Sequence, residues 1–186
     1  MSLDENSALL FLSLPDAALV DAIAARIVPG DAADPGAHEA LVYRYIDRTL
    51  SGAHRAYQQF YRCGLASFQA CSIQLYGRDF IELSDDDRDS VLATVASGDA
   101  PGFDTPSASE FFEVIRGHVI EGMFADPAHG GNAGCVGWRL IGYPGTQYEY
   151  TAQDSQPGAD LSKKPIMTLA DLQRTIQAAA PRGFNG

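Results

Sequence analysis

Positive charge is what this chain has least of: 13 Lys and Arg stand against 24 Asp and Glu, a formal net charge of −11 over 186 residues. Phosphate contacts need clustered Lys and Arg, so the balance excludes a nucleic-acid partner and argues against anionic lipid surfaces. Long apolar runs are missing too. No stretch of about 18 or more apolar residues occurs, so no direct membrane insertion is expected. Ala8 to Leu14 is apolar but short, with no basic flank and no twin-arginine pair before it, and does not read as an export signal. Cysteine is scarce, with Cys63, Cys71 and Cys135 alone. The first two fall on one predicted helix, roughly 12 Å apart by the helical rise, beyond disulfide reach. They read as buried thiols. Cys135 sits in a Gly-rich loop, where an inter-chain disulfide or a partner contact is open to it.

Nucleotide and nucleophile motifs are absent as well. Gly-Gly-Asn-Ala-Gly at 130–134 lacks the Lys-Ser/Thr ending of a phosphate loop and the G-x-G-x-x-G spacing of a dinucleotide fold. No Gly-x-Ser-x-Gly elbow occurs. Neither FAD nor NAD is therefore expected in this chain, and no catalytic residue is assigned.

What is present is helical periodicity. Ser13 caps a first helix with Leu19, Val20, Ile23 and Ile27 on one face, stopped by Pro29-Gly30. A second carries Leu41, Val42, Tyr45, Ile46 and Leu50 and breaks at Ser51-Gly52. A third runs from about Ala53 to Tyr76; its Phe60, Tyr61, Leu65 and Phe68 suggest the central helix of a bundle. Ser84 caps a fourth that ends at Gly98, and Ser107 or Ser109 caps a fifth with Phe111, Phe112, Ile115, Val119 and Met123. Thr168 to Asp171 opens a last short helix before Pro181. From Ala125 to Pro165 the period fails, leaving at most short extended pieces at 136–141 and 148–151. The reading is all-α: a single helical domain over 1–186, a bundle of about five to six helices. Residues 125–165 form a long irregular Gly-rich loop, an extended excursion facing a partner that orders it.

Phe111 to Gly145 is the most informative stretch. An apolar helix runs into Asp126, Pro127, His129, Gly130, Gly131, Asn132 and Gly134, and then reaches Trp138, the one tryptophan, and Tyr143-Pro144-Gly145. Gly and Asn at this density mark positive φ or close backbone approach. One enzymatic reading is a metal site from His118, Glu121, Asp126 and His129. His118 and Glu121 share a helix surface at i, i+3, and two imidazoles with carboxylates suit Zn²⁺ or Fe²⁺. The order H-x-x-E differs from the E-x-x-H of di-iron bundles, and no second copy exists. In the structural reading, Glu121 accepts from loop N–H groups and Asp126 caps the turn. Trp138 either folds back over Phe60, Phe68 and Phe112 or joins Tyr143, Tyr148 and Tyr150 in a partner-facing aromatic patch.

The segment EGMFADPAHGGNAGCVGWRLIGYPG resembles the signature of the gluconate 2-dehydrogenase subunit 3 family. The positions that fit are Glu121, Gly122, Phe124, Asp126, Pro127, Gly130, Gly131, Asn132, Gly137, Trp138, Gly142, Pro144 and Gly145. A weaker likeness extends back to Leu14 through Ala24–Pro29 and Ile46-Asp47-Arg48. The resemblance implies a non-catalytic small subunit of a membrane-linked or periplasmic sugar or polyol dehydrogenase complex. The large subunit, of the glucose–methanol–choline type, carries the FAD, and a cytochrome c subunit is a further partner. The small subunit supports folding, stability or export of the flavoprotein. Phe124, Asp126, Asn132, Trp138, Tyr143 and Pro144 are the candidate partner-binding residues. Two departures stand out. His129 replaces the family's usual tyrosine, and the missing twin-arginine signal leaves a cytoplasmic complex as the alternative to the periplasm. The competing function is a stand-alone metal-dependent enzyme built on His118, Glu121, Asp126 and His129.

Overall fold

Serine hydroxyls decide where three of the helices begin. In the computed structural model, which describes residues 8–179, Ser13, Ser84 and Ser107 each accept from the backbone N–H three residues on. Ser107 and Glu110 complete a reciprocal capping box. Helices α1 (Leu14–Ile27), α2 (Val42–Ser51), α3 (Gln58–Tyr76), α4 (Asp85–Ser97) and α5 (Ala108–Phe124) follow, then α6 (Val136–Leu140) and α7 (Leu169–Ala179). Gly77 and Gly98 end α3 and α4 in the left-handed conformation that glycine adopts without strain. No strand occurs among the described residues; one isolated bridge pairs Gly145 with Met167.

The centre of the bundle is α5, not the aromatic-rich α3. Helix α5 packs on α1, α2, α3, α4 and α6. It buries Phe111, Ile115, His118, Val119 and Met123. Helix α3 buries Tyr61, Gly64, Leu65, Phe68, Cys71 and Ser72 and leaves Ile73, Leu75 and Tyr76 exposed. It also starts later than its periodicity suggests: 53–54 lie outside it, and a 3₁₀ turn at Arg55–Tyr57 leads in. At the N-terminal side, the buried Asp47 carboxylate accepts from the N–H groups of Leu10, Phe11 and Leu12 at 2.7–2.9 Å. One side chain of α2 thereby holds the arm before α1.

Candidate functional site

Past α5 the chain turns at Ala125 into a 3₁₀ turn, Pro127–His129, then a second at Ala133–Cys135, then α6. Asn132, Gly134 and Cys135 take positive φ of 47°, 60° and 59°. Asn132 is completely buried, and its amide ties the loop together. Its Nδ2 donates to the Ala125 carbonyl at 2.8 Å, and its Oδ1 accepts from the Gly137 N–H at 2.9 Å, which starts α6. The stretch expected as extended, 136–141, is therefore largely helical. No strand forms at 148–151 either.

Two glycines make the loop's close approach possible. A Cβ at Gly131 would run into the carbonyl oxygen of Gly122, and one at Gly137 into that of Met123. A backbone oxygen inside a helix cannot swing aside. Gly137→Ala should therefore cost about 3 kcal/mol, the upper part of the range for overpacking. Gly117, on α5 with nothing within 4 Å of an added Cβ, should respond oppositely, Ala there stabilising by about 0.5–1 kcal/mol. Melting curves of the two variants test the contrast.

Trp138 is 3% exposed. Its Nε1 donates to the Phe124 carbonyl at 2.7 Å, and its ring meets Tyr143 edge-on at 5.3 Å between centroids. A model for gluconate 2-dehydrogenase subunit 3 matches residues 15–145, the bundle and this loop together. The chain belongs to this family. No curated protein and no solved structure matches it.

In this subunit 3 protein the six candidate partner-binding residues divide. Asn132, Trp138 and Pro144 are buried, and Phe124 and Asp126 are half-buried. Tyr143 remains 43% exposed. Asp126 is used within the chain, accepting from Ala128 N–H at 2.9 Å and from Leu169 N–H at 2.7 Å, which ties α7 to the loop. The loop is thus ordered by its own bundle, and its 126–145 half is folded down rather than extended. Trp138 is buried as one reading expected, but over the C-terminal end of α5 rather than against Phe60, Phe68 and Phe112. Cys135 is buried, and burial pushes its thiol up, which disfavours the thiolate an inter-chain disulfide needs.

The four metal candidates do not converge. His118 and Glu121 are brought together, but their third neighbour is His54, just before the 3₁₀ turn that leads into α3. Asp126 is taken up by the two N–H groups, and His129 is exposed on the next turn of chain. Around His118 the geometry is specific. Tyr61 Oη lies 2.8 Å from its Nδ1, and the His54 ring stacks on it at 4.4 Å and 17°. Tyr57 meets it edge-on at 5.5 Å. Glu121 accepts from Tyr45 Oη at 2.9 Å, and burial together with that bond pushes the Tyr45 phenol up to about 12.

Burial holds the His118 imidazole below its ordinary value of 6.5; His54 adds to the effect and Glu121 opposes it. A folded value below the unfolded one means that the unfolded chain takes up the proton first. Stability from this group is complete above pH 6.5 and is lost as the pH falls from there through the folded value. Melting temperatures recorded from about pH 8 down to about pH 5 should fall in the acid part of the range. His118→Gln should flatten that fall. An unchanged slope in the variant would assign it to other groups.

Proposed function

We propose that this chain is the non-catalytic small subunit of an FAD-dependent sugar or polyol dehydrogenase complex, membrane-linked or periplasmic. In this reading the flavin sits in the large subunit, a cytochrome c carries electrons onward, and this chain stabilises its partner or escorts it in export. No helix among the described residues is long and apolar enough to cross a membrane.

One observation carries the reading. At the end of the folded family loop and just beyond it, Leu140, Ile141, Tyr143, Tyr148 and Tyr150 are all exposed, Ile141 to 58% and Tyr148 to 60%. Apolar and aromatic side chains grouped in one short segment are the usual material of a protein interface. Beside them a cleft of about 170 Å³, lined by Trp138, Arg139, Tyr143, Pro144, Lys164 and Ile166, is sized for a partner's side chain. The buried Trp138 and Asn132 act through shape, holding this segment in place.

Co-expression tests the reading. The flavoprotein subunit should be recovered with FAD and full activity only when this chain is present, and the two should copurify. Full activity of the large subunit made alone would refute it. Ile141→Ala and Tyr148→Ala together, at the two most exposed of these positions, should weaken the complex by about 2 kcal/mol or more and leave the melting temperature of the free subunit unchanged.

A further inference from the structure

In the C-terminal half of α5, on the turns just before the loop, lies a group of side chains that an accessory role does not use. Ligand atoms of His54, His118 and Glu121 lie within 4.8 Å of one another. They come from two separate places, the connector between α2 and α3 and the buried-to-exposed boundary of α5. From this arrangement we propose that His54, His118 and Glu121 form a binding site for a divalent transition-metal ion of the Zn²⁺ type.

The donor set is of the right kind. Two imidazoles and one carboxylate suit a borderline cation, with three protein ligands and a remaining position for water. The span is also right. Ligands at about 2.0–2.1 Å in a tetrahedral array stand roughly 3.4 Å apart, so the three atoms need to close by little more than 1 Å. Glu121 is exposed and has the freedom to make that movement, and its exposure gives the ion a path from solvent.

The neighbouring groups hold these ligands as metal sites hold theirs. Tyr61 engages Nδ1 of His118 at 2.8 Å, fixing the ring and leaving Nε2 for a ligand. Tyr45 engages Oε2 of Glu121 at 2.9 Å and leaves the other oxygen. Such partners orient the ligating atoms, and losing one typically weakens a metal 10–100-fold. His54 supplies a separate observation. Its Nδ1 is buried with no hydrogen-bond partner among the described residues, a state that buried polar atoms rarely keep. The His54 ring stacks near-parallel on His118 at 4.4 Å, so it must tilt out of the stack for the two in-plane lone pairs to meet at one ion. A bound ion would pin the α2–α3 connector to α5. It requires no large subunit, so its presence or absence is independent of the complex.

The test uses the full chain, stripped with a chelator and dialysed, then titrated with Zn²⁺ by calorimetry and with Co²⁺ by visible absorption. One ion should bind per chain, with the absorption bands of tetrahedral Co²⁺, and Zn²⁺ should raise the melting temperature. His54→Ala and Glu121→Gln should each weaken binding by about 100-fold or more. Tyr61→Phe, which keeps all three ligands, should weaken it about 10-fold. His129→Ala should leave it unchanged. Should His54→Ala fold poorly by circular dichroism, His54→Gln preserves the bulk of the ring and serves in its place. Absence of saturable binding to the wild-type chain would overturn the site. So would binding that survives both His54→Ala and Glu121→Gln.

Discussion

Trp138→Ala is expected to destabilise the free subunit by about 3–5 kcal/mol, the range for removing a large buried aromatic. The indole is 3% exposed and fills the space between the end of α5, Tyr143 and Gly145, whose backbone approaches the ring. Its Nε1–H also satisfies the Phe124 carbonyl, which the alanine variant leaves without that donor. Trp138→Phe separates the two contributions, keeping most of the packing and losing about 1–3 kcal/mol with the hydrogen bond. Thermal melts measure both. An unchanged melting temperature in Trp138→Ala, with loss of the large subunit in a pull-down, would instead make Trp138 an interface residue.

The second large effect is expected at Asn132. Replacing it by Ala removes the partners of the Ala125 carbonyl and of the Gly137 N–H at once. Each orphaned buried group costs about 1–3 kcal/mol. A β-carbon without a short polar side chain at φ 47° adds roughly 1–2 kcal/mol of backbone strain. A total of about 3–8 kcal/mol is a large part of the stability of an ordinary domain. Asn132→Gly should recover the backbone part alone, so the difference between the two variants measures strain. Urea unfolding gives the energies. Faster amide exchange at Gly137 in both variants, beyond that from global unfolding, would show that α6 has lost its anchor.

Much of the fold was legible because helix boundaries are local events. Ser13, Ser84 and Ser107 meet an N–H three residues away, and Gly98 needs only its own φ, so the signal sits inside a few neighbouring letters. The identity of the central helix was not local. It depended on how many neighbours α5 meets in space, whereas aromatic content drew attention to α3. At 136–140 the bulky and branched residues Val136 and Trp138 favour a strand, but the left-handed residues before them and the Asn132 carbonyl on Gly137 N–H impose a helix. The loop's importance could be read from Gly131, Asn132 and Trp138, yet what orders it could not, since the Gly122 and Met123 oxygens lie on a packed surface. The ion-binding cluster was half visible. His118 and Glu121 share a helical spacing, while His54 lies far upstream with no spacing to announce it.

The segment 146–166 leaves and rejoins the molecule at a single point. Thr146 N–H donates to the Met167 carbonyl at 2.7 Å, and Met167 N–H donates to the Pro144 carbonyl at 2.9 Å. Both ends are clamped side by side, and the residues between are mostly exposed. Closing a loop costs free energy that grows only with the logarithm of its length. Insertions or deletions inside this stretch can therefore accumulate with little effect on the helices beneath. A scaffold of this build can change which protein it grips by rewriting one detachable strap, and descent with variation can act on recognition and on folding as two nearly separate traits.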